Sequence, residues 1–194
     1  MQTEKPSALN LPNALTTLRL LLIPVFITLM CRDQMMPALG VFVFASITDV
    51  ADGWIARKYN LITDFGKLFD PLADKLMVLS VMTMMVVKGI APLAAVIILV
   101  LKELLMLVGG FLLMKKHVVV YSLPIGKTAQ FITVLALMLC FFHETFAGWS
   151  WPPHLVVLWL GVALALVSMV YYCLRNGPKL FDESQAQQDE KTEE

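Results

Sequence analysis

Six apolar stretches, each long enough to cross the hydrocarbon core of a bilayer, leave this chain few ways to fold. They run over residues 13–31, 36–57, 69–87, 91–114, 125–145 and 154–174. A core of about 30 Å takes about 20 helical residues. Lipid offers the backbone no hydrogen-bonding partner, so each span has to be a helix. Of 194 residues, 58% are hydrophobic and 15% charged, with a mean hydropathy of +0.74, which is more apolar surface than one soluble core could bury. The short connections predict an all-α integral membrane protein, a bundle of six transmembrane helices. One domain is expected over 13–179, between a cytoplasmic segment 1–12 and an acidic, disordered tail 180–194. Pro24 and Pro37 fall inside or at the edge of spans, where proline is tolerated.

Loop charges orient the bundle. With the N-terminus inside, the cytoplasmic segments hold Lys5, Arg57, Lys58, Lys67, Lys115, Lys116, Lys127, Arg175 and Lys179, and the outer connections only Arg32 and Lys88. Both termini are therefore expected in the cytoplasm. Trp149, Trp151 and His154 then fall at the outer interface. The first span has no small-residue cleavage site after it and is not expected to be a signal peptide. Cys31, Cys140 and Cys173 lack CxxC spacing and read as small apolar packing residues. His117, His143 and His154 lack metal-ligand spacing and read as interfacial. No nucleic-acid partner is expected.

The formal charge is zero, with 15 basic and 15 acidic residues, but the acids are unevenly placed. Six of them (Asp182, Glu183, Asp189, Glu190, Glu193 and Glu194) lie in the tail, and five of the other nine fall between residues 49 and 74. Asp49, Asp52, Gly53 and Ala56 stand at i, i+3, i+4 and i+7, on one face of the second span's inner end. Asp70 and Asp74 are i, i+4 at the inner start of the third. The segment from Asn60 to Asp70 is expected to turn the chain, so that the two faces oppose each other at the cytoplasmic edge.

A single aspartate there is adequately explained as a solvated cap, or as a partner of Arg57, Lys58, Lys67 or Lys75. Four on two facing stripes are different, because their repulsion at low dielectric is costly unless a cation offsets it. All-oxygen ligands suit a hard ion, Mg²⁺ or Mn²⁺. Two such ions about 3.5–4 Å apart would balance four carboxylates, the arrangement used in phosphoryl chemistry. Gly53, Ala56 and Gly66, interleaved with the acids, leave room for a planar base or a diphosphate to approach the backbone.

Written as D-x₂-D-G-x₂-A-R-x₈-G-x₃-D-x₃-D, residues Asp49, Asp52, Gly53, Ala56, Arg57, Gly66, Asp70 and Asp74 match the signature of the CDP-alcohol phosphotransferase family, eight fixed residues over 26 positions. The opening "NLPNALTTLRLLLIPVF", Asn10 to Phe26, and "FGKLFDPLADK", Phe65 to Lys75, resemble the branch containing bacterial phosphatidylglycerophosphate synthases and related cardiolipin synthases. The resemblance implies an enzyme that moves a phosphatidyl group from CDP-diacylglycerol to an alcohol and releases CMP. It implies that Asp49, Asp52 and Asp70, with Asp74 beside them, form a site for two divalent cations. Gly53 and Ala56 would make room for the cytidine, Arg57 and the backbone near Gly66 would help hold the donor, and Asp74 would act as general base. It also implies a homodimer with a cytoplasm-facing active site.

Glycerol 3-phosphate is the acceptor the resemblance favours, and its phosphate calls for cations: Arg19, Lys102 and Lys127. Lys115 and Lys116 read as contacts to anionic head groups. An ionisable side chain at membrane depth, such as Lys102, costs about 2.5–3.5 kcal/mol on insertion scales and marks a functional site. The synthases usually carry Arg-Glu in the fourth span, with a second Arg two turns on, and a Gly-Lys-x-Lys-Thr segment. Here stand Lys102-Glu103 followed by Gly109-Gly110, and "IGKTAQF" from Ile125 to Phe131. That thinner cationic set keeps phosphatidylglycerol, the cardiolipin-synthase acceptor, as an alternative. A divalent-cation transporter would instead place its acids near the bilayer midplane on discontinuous helices.

Overall fold

The computed structural model describes residues 11–58, 64–115 and 124–181. Among them lie six α-helices, one 3-10 turn (His143–Phe146) and no strand. The helices are α1 (Leu11–Cys31), α2 (Met35–Lys58), α3 (Asp64–Val87), α4 (Leu93–Lys115), α5 (Pro124–Cys140) and α6 (Pro153–Phe181). They fall into two compact units, α1–α3 and α4–α6. The segments 1–10, which holds Lys5, and 182–194, which holds nearly all of the expected tail, lie outside the described residues, as does His117.

Among the described residues, Asn13–Cys31 of α1 and Pro153–Asn176 of α6 are long and apolar enough to cross a membrane. Met35–Asp49 of α2 and Ile125–Cys140 of α5 are apolar over a shorter length. In α2 the apolar stretch stops where the aspartates begin. Both long helices are apolar outside as well as inside: Leu21 (63% exposed) and Leu174 (73%) face outward, while Phe26 and Leu158 are fully buried. Exposed apolar surface of that extent marks a face that meets lipid or another protein.

Three expected boundaries shift. Helix α3 begins at Asp64, so Gly66 and Asp70 sit within a helix, and residues 59–63 of the expected turn lie outside the described ones. An acidic residue at a helix N-terminus is favoured by the macrodipole. Helix α5 ends at Cys140, and the expected span to 145 breaks into a turn and the 3-10 segment. It rises about 25 Å at 1.5 Å per residue. Helix α6 runs 29 residues, past 174 and into the expected tail.

In the first unit α1 packs against both α2 and α3. Asp33 takes a left-handed conformation (φ 59) in the tight turn between α1 and α2, a conformation in which Asp is several-fold enriched. Its carboxylate pairs with Lys88 at the end of α3. Helix α1 thus runs antiparallel to α2 and parallel to α3, the three held together at the end away from the aspartates.

In the second unit α6 packs against α4 and α5. The α5–α6 seam is lined by small residues: Ala129, Thr133 and Ala136 face Gly161, Ala165 and Ser168, all buried. Small residues let membrane helices approach closely. A Cβ on Gly161 would lie 2.9 Å from the Thr133 Oγ1 and 3.4 Å from its Cα and N. That hydroxyl is fixed by donating to the Ala129 carbonyl at 2.9 Å. Gly161→Val is therefore expected to destabilise this unit by about 1–3 kcal/mol through overpacking, seen as a lower thermal midpoint in detergent. An unchanged midpoint would mean the helices separate at no cost.

The cysteines only partly match expectation. Cys140 is a buried packing residue, but Cys31 and Cys173 are exposed on their helices. His154 is buried in the first turn of α6 and stacks on Phe146, ring centroids 6.0 Å apart, so the 3-10 segment covers it. Trp149 and Trp151 are exposed.

Candidate active site

The buried polar residues of helix α1 form one stripe. Asn13, Thr16 and Arg19, at i, i+3 and i+6, are all buried, Thr16 and Arg19 to 0% and 1% exposure. Polar groups tolerate such burial only when partnered. The Arg19 guanidinium lies with Nη1 3.0 Å from Oδ1 of Asp49 on α2. The Thr16 hydroxyl donates to Oδ1 of Asp70 on α3. Thr16 and Arg19 are about 4.5 Å apart along the axis, so α1 gathers an aspartate from each neighbouring helix at one level. Asp49 and Asp70 lie within Coulombic reach of one another. Asp49 keeps 37% side-chain exposure against 1% for Arg19, so the guanidinium approaches from the protein side and the carboxylate retains an open face. Removing one partner of a buried pair costs about 3–5 kcal/mol; this pair, half-open at Asp49, sits at or below the lower end.

Asp74 stands one turn beyond Asp70 on the continuous α3, half-buried, next to the fully buried Ala73. On α2, Asp52, Gly53 and Ala56 keep the helical register with Asp49, because α2 is unbroken to Lys58. The surroundings of Asp52, Gly53, Ala56, Arg57 and Gly66 lie outside the described residues. Among the described residues no three acidic, histidine or cysteine side chains group as metal ligands. The described donors that do meet, carboxylate oxygens from two helices, have the hardness that Mg²⁺ or Mn²⁺ prefers.

Of the three cations expected at the acceptor, Arg19 faces Asp49. Lys102 is buried in the second unit, its Nζ 2.5 Å from Oε1 of Glu103, which is partly exposed. Lys127 is exposed on α5. Sequence reasoning missed Thr16. Its one mark was a place between Asn13 and Arg19 at three-residue spacing, which Thr17 and Thr28 on the same helix obscure. The same reasoning also missed Ser168 and Tyr172, whose buried hydroxyls have no hydrogen-bond partner among the described residues. Tyr172 lies against Gly109, its ring 3.5 Å from where a Cβ would stand.

The sequence profile described as CDP-alcohol phosphatidyltransferase matches residues 9–167. A Rickettsia typhi protein named CDP-diacylglycerol--glycerol-3-phosphate 3-phosphatidyltransferase is 36% identical over 172 residues, covering 84% of this chain and 94% of its own. A Bacillus subtilis protein of the same name is 33% identical over 183 residues, covering 86% and 95%. A Pseudomonas fluorescens protein of that name is 46% identical over 81 residues, covering 40% and 42%.

Proposed function

This chain belongs to the CDP-alcohol phosphatidyltransferase family, and from that membership we propose that it moves a phosphatidyl group from CDP-diacylglycerol to sn-glycerol 3-phosphate. The products are phosphatidylglycerophosphate and CMP. The observation that carries the reaction class is the meeting of Asp49 and Asp70 beside one level of α1. The agreement of relatives' names over most of the chain supports the acceptor.

In this reading Asp49, Asp52, Asp70 and Asp74 hold two Mg²⁺ or Mn²⁺ ions. When bound, the ions offset the charge of the donor diphosphate and polarise the phosphorus under attack. Gly53, Ala56, Arg57 and Gly66 hold the CDP end. Asp74 takes the proton from the acceptor hydroxyl as its oxygen bonds to the lipid-linked phosphorus, and the bond to CMP breaks. Lys102 and Lys127 serve the acceptor phosphate, while Arg19 is engaged with Asp49. Six spans, cytoplasmic termini, a site at the inner ends of α2 and α3 and a homodimer complete the reading. It draws on the loop charges and the family resemblance.

The test is purified protein with CDP-diacylglycerol, Mg²⁺ and either glycerol 3-phosphate or phosphatidylglycerol, scored by CMP release. Glycerol 3-phosphate should release CMP and phosphatidylglycerol should not. The reverse pattern would move the chain to the cardiolipin-synthase reaction, and silence with every acceptor would overturn the transferase reading.

A further inference from the structure

Thr16 has no part in the reaction as set out above, and Arg19 was expected at the acceptor. Both are more deeply buried than the aspartates they touch. We propose that Thr16 and Arg19 are positioning residues for the metal-binding carboxylates, fixing Asp70 and Asp49 from behind so that their open faces converge before any ion arrives. The inference rests on the metal-dependent reading above.

Each short contact is made to Oδ1 of its aspartate. A carboxylate has two oxygens and about four acceptor positions, so a contact on one oxygen is compatible with a metal on the other. The two contacts also differ usefully in kind. Arg19 brings charge on a buried guanidinium, which meets Oδ1 of Asp49 through Nη1 as an ion pair and whose shape an ammonium does not reproduce. Thr16 brings no charge, so its bond to Asp70 can only orient. Other hydroxyls in the same unit spend themselves on their own helix: Thr17 donates to the Asn13 carbonyl, Thr28 to that of Pro24, and Ser46 to that of Phe42. Thr16 reaches across to another helix. A role confined to neutralising charge inside the bundle would account for Arg19 but not for Thr16.

Partners in the outer shell of a metal site typically change metal affinity by about 10–100-fold when lost. The test is direct Mn²⁺ binding to the full-length protein in detergent, without substrate, read from the electron paramagnetic resonance signal of free Mn²⁺. A thermal melt of the metal-free protein accompanies it. Thr16→Val keeps the volume and removes the donor; Arg19→Lys keeps the charge and removes the guanidinium that reaches Asp49. Both should raise the Mn²⁺ dissociation constant about 10–100-fold, while Thr16→Ser should stay near the unmodified protein. Some loss in the metal-free melt is expected in Thr16→Val and Arg19→Lys, because both contacts are buried, so Mn²⁺ affinity is read well below the lowest melting temperature and decides the question. Unchanged Mn²⁺ affinity in Thr16→Val overturns the inference and leaves the transferase reading standing. If Thr16→Val does not fold, Arg19→Lys decides the question by the same criterion. Failure of the unmodified protein to bind Mn²⁺ overturns this inference and the metal reading together.

Discussion

Asp74→Asn is expected to lower CMP release by about 10²–10⁴-fold, the usual contribution of a general base. The substitution keeps the side chain's shape and removes its basicity. Asp74 lies on the same unbroken helix as Asp70, one turn on, so the change leaves the backbone that presents Asp70 in place. The Thr16 and Arg19 contacts fall on Asp70 and Asp49, at the other positions of the cluster. Donor binding should therefore survive, and the loss should appear in kcat rather than in the KM for CDP-diacylglycerol. Turnover retained in Asp74→Asn would remove Asp74 from the base role. A loss confined to KM would make it a binding residue.

Chelation carries the other large effect. Stripping divalent ions should take CMP release to background, and Mg²⁺ or Mn²⁺ should restore it, because the fixed charges available to the donor diphosphate are mainly those the aspartates recruit. The same treatment should barely move the melting temperature. Asp49 already has Arg19 against it, and Asp70 has Thr16, so the empty cluster is partly compensated by α1. A structural metal behaves oppositely, since its binding energy is folding energy. A large drop in melting temperature on chelation would mean that the ions, not α1, hold these helices together. Activity that persists in chelator would remove the metals from the reaction.

Much of this was legible in the chain. Long apolar runs locate the helices because lipid allows little else, and the register Asp49, Asp52, Gly53, Ala56 depends only on α2 being continuous, which it is. Helix ends were less legible. Phe141 and Phe142 continue the apolar run after Cys140, and hydropathy carries no mark of where a backbone turns. The start of α3 was hidden for the opposite reason: Asp64 and Lys67 make its first turns look like a polar loop. Thr16 was invisible for a chemical reason. A hydroxyl in an apolar helix ordinarily bonds its own i−4 carbonyl, as Thr17 and Thr28 do. Only the tertiary arrangement shows which of them reaches a carboxylate on another helix. Arg19 was conspicuous as a charge in a span, but its partner lies 30 residues on, and pattern alone cannot say which of several acids it meets.

The Arg19–Asp49 contact also bears on how the protein is made. Helix α1 leaves the ribosome before α2, carrying a guanidinium that hydrocarbon accepts only at about 2.5–3.5 kcal/mol on insertion scales. The compensating carboxylate emerges on the following helix. Lateral release of α1 by itself is thus penalised, and partitioning as an α1–α2 hairpin is favoured. The translocation machinery should retain the first segment until the second has been synthesised, and stalled nascent chains ending before Asp49 should remain crosslinked to it.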